Sequence, residues 1–252
     1  MPLLDGLDAV TRQAAVLQEV GHRPWPLPQR GWLQAQTWDD LLFAHWEVPA
    51  DDLRALLPGS VELDVFEGRA YLGLTPFKVA NLRVRGLPPA PLLSSFLELN
   101  CRTYVTNGGK PGIWFFSLDA SSRFAVEAAR RLYKLPYFRA RMTGPPSFTS
   151  VRVEDDPLLW ESTYRPTGTP APPARGTLEH FLSERYCLYV TDATGALHRA
   201  EIHHPPWPLQ EAEATIRRVE LPLPLRLEGA PHLMYSARQD VVIWPLERVR
   251  PR

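Results

Sequence analysis

Alternation of apolar and polar side chains dominates the chain. In SFLELNCRTYV, residues 95–105, a period of two puts Glu98, Asn100, Arg102 and Tyr104 on one face. Leu97, Leu99, Cys101, Thr103 and Val105 fall on the other. Strand-like runs cover 31–38, 41–48, 61–66, 69–77, 96–106 and 112–119. They resume at 148–154, 158–165, 184–191, 197–204, 213–221 and 239–244. Glu67–Gly68 and NGGKPG supply hairpin turns.

Helical periodicity is confined to short pieces. PADDLRALLPG, residues 49–59, has acids in its first turn and stops at Pro58–Gly59. Ser121 or Ser122 caps a longer helix with the stripe Phe124, Ala125, Ala128, Ala129, Leu132 and Tyr133, and Pro136 ends it. TLEHFL, residues 177–182, predicts one more turn or two. Residues 1–22 read as an N-terminal helical extension with Val10, Ala14, Leu17 and Val20 on one side, and 23–252 as a single domain.

Strands joined in hairpins rather than βαβ units predict an α+β, mainly β fold. So many strands must hide their edges, and a closed antiparallel β-barrel or cone with a few flanking helices does so. A sandwich is the alternative. The polar face of 95–105 is then either a solvated surface or, in a barrel, a pocket floor. The barrel reading puts its apolar face against the long helix.

Composition narrows the function classes. The 252 residues are 44% hydrophobic and 22% charged, with 28 basic and 28 acidic side chains, so nothing favours a polyanion such as nucleic acid. No apolar run is long enough for a membrane span, and the N-terminus lacks the pattern of a secretion signal. Cys101 and Cys187 are far apart and outside any zinc-type spacing, which predicts reduced core thiols in a cytoplasmic protein. Proline clusters at 88–91, 166–173 and 205–208 read as rigid loops. P-loop, GxGxxG, GxSxG and HExxH motifs are absent.

Candidate chemistry concentrates on the polar face of 95–105. Glu98 is the candidate proton-transfer group, and Arg102 the candidate clamp for a ligand carboxylate, with Asn100 and Tyr104 beside them. Internal salt bridges would explain the same pair structurally. In IHHPPWPL, His203 and His204 point to opposite faces; His204 is assigned to the pocket, with Trp207 as its wall or lid. Tyr186 or its neighbour Arg185 reaches the lumen, and His45 is a weaker candidate. A zinc site from His45, His204 and Glu98 has only residue type in its favour, so no metal or cofactor is expected. Asp119 reads as a turn or cap residue.

Seven segments carry a family resemblance: WDDLLFAHWEVPADDLRALLPG, GLTPFKV, SFLELNCRTYV, GIWFFSLDA, LPYFRARM, LEHFLSERYCLY and IHHPPWPL. In that order, over roughly residues 23–245, they resemble the uncharacterised YqjF-like family, which implies the acetoacetate decarboxylase-like fold. The decarboxylase has a Ser-aromatic-X-Glu strand, and SFLE presents Glu98 there. Its Phe-Pro-Lys-Lys turn holds the Schiff-base lysine and the neighbour that tunes it. KLPYFRA stands in its place, with Tyr137 and Phe138 at the lysine positions. Neither side chain forms an imine, and Lys134 lies before the proline on the helix.

The combined expectation is a small-molecule-binding barrel acting by acid/base chemistry on a small organic acid, without Schiff-base decarboxylation. A non-catalytic ligand-binding protein is the alternative. The partner is a small molecule, not nucleic acid or membrane, and a homo-oligomer is left open.

Overall fold

A computed structural model of the chain describes residues 2–90, 93–153 and 158–250. The end of the strand expected at 148–154 and the last proline of 88–91 lie outside them. The strands are β1 (Gln34–Val48), β2 (Glu62–Leu63), β3 (Ala70–Val84), β4 (Phe96–Asn107), β5 (Lys110–Ala120), β6 (Tyr137–Thr143) and β7 (Ser147–Arg152). They continue as β8 (Leu159–Ala171), β9 (Cys187–Thr191), β10 (Leu197–His203), β11 (Leu209–Glu220), β12 (His232–Ile243) and β13 (Glu247–Arg248). The helices are short: α1 (Pro2–Ala15), α2 (Ala50–Ala55), α3 (Arg123–Tyr133) and α4 (Leu178–Ser183).

All the strands share one 13-stranded sheet in the order β13-β10-β9-β5-β6-β7-β8-β11-β12-β1-β3-β4-β2, with further pairings of β10 to β12 and β5 to β4. The fold is mainly β, as the alternation predicts. It is not purely antiparallel, however, because β5 runs parallel to both β6 and β9. The first parallel pair follows from α3, which carries the chain from the end of β5 back to the start of β6. Residues 137–143 escape a strand reading because their buried positions, Tyr137 and Ala140, lie three apart rather than two.

Other boundaries move for identifiable reasons. The runs 31–38 and 41–48 belong to one strand, bent at Asp40, which adopts φ 53°. The Asp40 carbonyl and carboxylate accept hydrogen bonds from Tyr164 (2.9 Å) and Tyr235 (2.7 Å), which hold the bend. PTGTPAPP is a loop only in part, since β8 runs through Pro166 to Ala171 at its exposed end.

Helix α1 buries Ala9 and Gln13, with Val16 just beyond it, rather than the stripe Val10, Ala14 and Leu17. Polar chemistry overrides apolar periodicity there. Gln13 donates to Thr37 Oγ1 (3.2 Å) and the Asn81 carbonyl (3.1 Å), and accepts from Arg83 Nε (2.6 Å).

The core has two main compartments. Leu42, Trp46, Leu72, Leu74, Leu99 and Cys101 pack with Phe148 and Trp160 of β7 and β8. The apolar face of β4 is therefore covered by more strand rather than by α3. The helix lies on the other side, where Val126 and Tyr133 join Phe77, Phe115 and Leu118. Ser122 caps it, accepting from the Ala125 amide at 3.3 Å. Both cysteines are buried and free, and burial pushes each thiol up to about 12.

Candidate functional site

A cavity of about 260 Å³ opens where β1, β3, β4 and β5 meet α3. Most of its wall is apolar, including Trp38, Phe77, Phe96, Phe115 and Leu118. Against this, β4 contributes Glu98, Asn100 and Arg102 in a row, flanked by Thr75 and Gln36. Register explains the grouping: Phe77 lies opposite Glu98, Thr75 opposite Asn100, and Gly73 opposite Arg102. The polar face of 95–105 is thus a pocket floor, buried at Glu98, Asn100 and Arg102.

Glu98 accepts a hydrogen bond from the Tyr137 hydroxyl at 3.1 Å. Burial raises its pKa to about 8, assisted by the charge of Asp119 and opposed by hydrogen bonds from Tyr137 and Asn100. At neutral pH the carboxyl is therefore mainly protonated. Tyr137, also buried, is pushed well above the ordinary phenol range by desolvation and by Glu98, so it remains a donor.

The Arg102 guanidinium lacks an anionic partner: among the described residues no carboxylate lies within 4.0 Å of it. Its Nη2 makes long contacts to Tyr104 Oη (3.5 Å) and the Leu182 carbonyl (3.4 Å), and its Nε has no partner. Neither Glu98 nor Arg102 is absorbed by an internal salt bridge among the described residues, so the structural explanation of the pair does not hold. With Glu98 neutral, the floor presents net positive charge.

The remaining candidates stand outside the lining. Tyr104 is fully buried behind Arg102, donating to the Leu182 carbonyl at 2.7 Å, and its oxygen lies 2.6 Å from His45 Nε2. Desolvation, then the charge of Arg102, holds His45 well below the usual imidazole range. Gly73 makes room for this contact, since a Cβ there would lie 2.6 Å from His45 Nε2.

His204, assigned to the pocket by alternation, instead stacks on Tyr186 at 4.8 Å and bonds the Pro205 carbonyl through Nδ1. His203 contacts the Val16 carbonyl at 2.8 Å. Trp207 touches the cavity only indirectly, stacked behind Trp38 at 5.8 Å. Tyr186 bonds Glu184 and lines a separate depression with His22, His180 and Arg185. Adjacent buried strand ends have several interiors to choose from, and parity alone does not say which. Among the described residues no group of three or more His, Cys, Asp or Glu is arranged to hold a metal.

Asp119 is neither turn nor cap. It is the next-to-last residue of β5, fully buried, and pairs with Arg152 through Nη2 (2.6 Å) and Nε, while the guanidinium covers Phe138 at 3.8 Å. Tyr137 is the functional contact that the residue pattern does not reveal, because it reaches Glu98 through a parallel strand pairing. The α3 stripe is a second, since it lines the cavity while Tyr133, Ala125 and Ala129 also pack on the core.

Residues 35–240 match DUF2071, a family described as an uncharacterized conserved protein. The uncharacterized protein YqjF of Bacillus subtilis (strain 168) is 43% identical over 235 residues, covering 88% of this chain and 95% of that protein. Acetoacetate decarboxylase from Legionella pneumophila superposes with TM-score 0.59 at 13% identity, covering 94% of this chain and 95% of its own. An acetoacetate decarboxylase-like enzyme from Sphingomonas wittichii RW1 gives 0.59 at 12% identity, with coverages of 92% and 100%. The enduracididine biosynthesis enzyme MppR, complexed with pyruvate, also gives 0.59 at 12%, with coverages of 91% and 97%. The shared architecture is acetoacetate decarboxylase-like.

Proposed function

The chain belongs to the DUF2071 family, and from that premise we propose that its cavity binds a small organic acid, with Arg102 holding the carboxylate and Glu98 exchanging a proton with the ligand. The observation that carries this reading is the buried guanidinium of Arg102, which has no carboxylate beside it among the described residues. A buried cation is costly unless paired, and an anionic ligand supplies the pair. Glu98, with its pKa near 8, gives up or takes a proton close to neutral pH, the condition for general acid/base work. The pairings β10–β12 and β5–β4 support closure of the strands into a barrel or cone around this cavity.

Schiff-base decarboxylation is not part of the proposal. The cavity lining contains no lysine among the described residues. The counter-reading, a binding protein without turnover, draws on the lining's having Glu98 as its one carboxyl among those residues.

Calorimetry with small carboxylates and their primary amides tests the proposal. Carboxylates bind at least tenfold more tightly, and Arg102→Met removes the preference. Equal binding of acid and amide would overturn the clamp. Product analysis on a bound acid then separates the readings: conversion that stops in Glu98→Gln, with affinity kept, supports catalysis, and release of every bound acid unchanged supports the binding protein.

A further inference from the structure

Phe124 and Leu132 lie at the two ends of the α3 stripe, 71% and 59% exposed, and both belong to the cavity lining. Between them the helix presents only Ala125, Ala128 and Ala129 to the cavity, which leaves a shallow trough. Across the opening, Leu93 is 50% exposed and also part of the lining. The mouth is therefore apolar on both banks. Large apolar side chains turned to water around a pocket are stabilised by whatever covers them.

The polar groups are withdrawn from this mouth. Along β4 the order inward is Phe96, Glu98, Asn100, Arg102, and a strand advances about 3.3 Å per residue. Arg102 thus lies about 20 Å along the strand from Phe96. It is 6% exposed, with an unpartnered Nε. A small polar acid bound there would leave the outer half of the cavity and its apolar rim uncovered.

We infer that the ligand is an amphiphilic monocarboxylate, its carboxylate on Arg102 and its hydrocarbon chain leaving past Leu93 along the trough between Phe124 and Leu132. This rests on Arg102 as the anion clamp, and it adds the chemical class of the part that faces solvent. The chain covers the rim, and Glu98, held neutral, sits beside it without opposing the charge of the head group.

The test uses the full-length protein, straight-chain carboxylates from two to eighteen carbons below their micelle concentrations, and the matching primary amides. Binding is read by calorimetry and by the fluorescence of Trp38 in the wall. Affinity is expected to rise about fourfold per added methylene until the chain passes the rim. Amides of each length bind at least tenfold more weakly. In Phe124→Ser and Leu132→Ser, both exposed positions that fold readily, the ratio of long-chain to short-chain affinity falls at least fivefold. Carboxylates that depend on Arg102 but bind equally at every length would overturn the amphiphile and leave the clamp standing. So would a chain-length gain that both serine variants retain. Failure of every carboxylate to bind in preference to its amide would take down the clamp and this inference together.

Discussion

The Tyr137 hydroxyl donates to Glu98 Oε2 at 3.1 Å, joining β6 to β4 across β5 inside the cavity. The bond favours the ionised carboxylate, while burial of the same group favours the acid, and burial wins. The site thus holds a neutral acid and a charged guanidinium on one strand, and the stability of the protein is tied to the proton on Glu98.

Stability should fall as pH rises. Glu98 ionises near 4.5 when unfolded and at about 8 when folded. Between these values the folded state keeps a proton that the unfolded chain has lost, so the penalty grows with pH and is complete above about 8. The steepest slope from this one group is about 1.4 kcal/mol per pH unit. Glu98→Gln cannot ionise, so its Tm should overtake that of the parent across pH 5–9. Parallel Tm profiles would remove Glu98 as a buried acid.

Tyr137→Phe should move that titration upward. Removing a donor to the carboxylate takes away what lowers its pKa, and a hydrogen bond to a charged group is worth about 1.5–3 kcal/mol. The infrared band of the protonated carboxyl should therefore persist at least about one pH unit higher in the variant. An unmoved or lowered midpoint would show that the phenol does not serve Glu98.

How far the site was legible depends on what each residue needed from the rest of the chain. Glu98, Asn100 and Arg102 follow from period two on a single strand, so they were readable without knowing any neighbour. Tyr137 was not, because its contact requires α3 to bring β6 back parallel to β5. His204 shares a parity with Ala200 and Ile202 that suits a pocket, with Trp207 held near it by the loop, but the chain turns at PPWP into a different interior. The α3 stripe was visible as apolar, yet exposure of Phe124 and Leu132 reflects the cavity beneath them, which no local pattern encodes.

Asp119 and Arg152 should be mutually dependent. Their side chains are 0% and 1% exposed, and the pair lies behind the cavity floor. Replacing either alone by an apolar residue breaks a buried ion pair and should cost about 3–5 kcal/mol in urea unfolding. The double replacement Asp119→Leu/Arg152→Met should cost clearly less than the sum. Additive losses would mean that the two charges are not coupled.

An imine-forming enzyme needs an amine inside its pocket, neutral enough to attack a carbonyl. This chain has three lysines, and each is accounted for elsewhere. Lys78 and Lys134 are exposed, although Lys78 follows the cavity residue Phe77. Lys110 Nζ is paired with Glu201 Oε1 at 2.9 Å, outside the cavity lining. At the positions resembling the decarboxylase lysine pair, Tyr137 is committed to Glu98 and Phe138 lies beneath Arg152. Incubation with acetoacetate and borohydride should leave the mass of the folded protein unchanged. A stoichiometric adduct mapped by peptide mass to Lys78, Lys110 or Lys134 would show that a relocated amine reaches the substrate, and the division of labour between Glu98 and Arg102 would have to be abandoned.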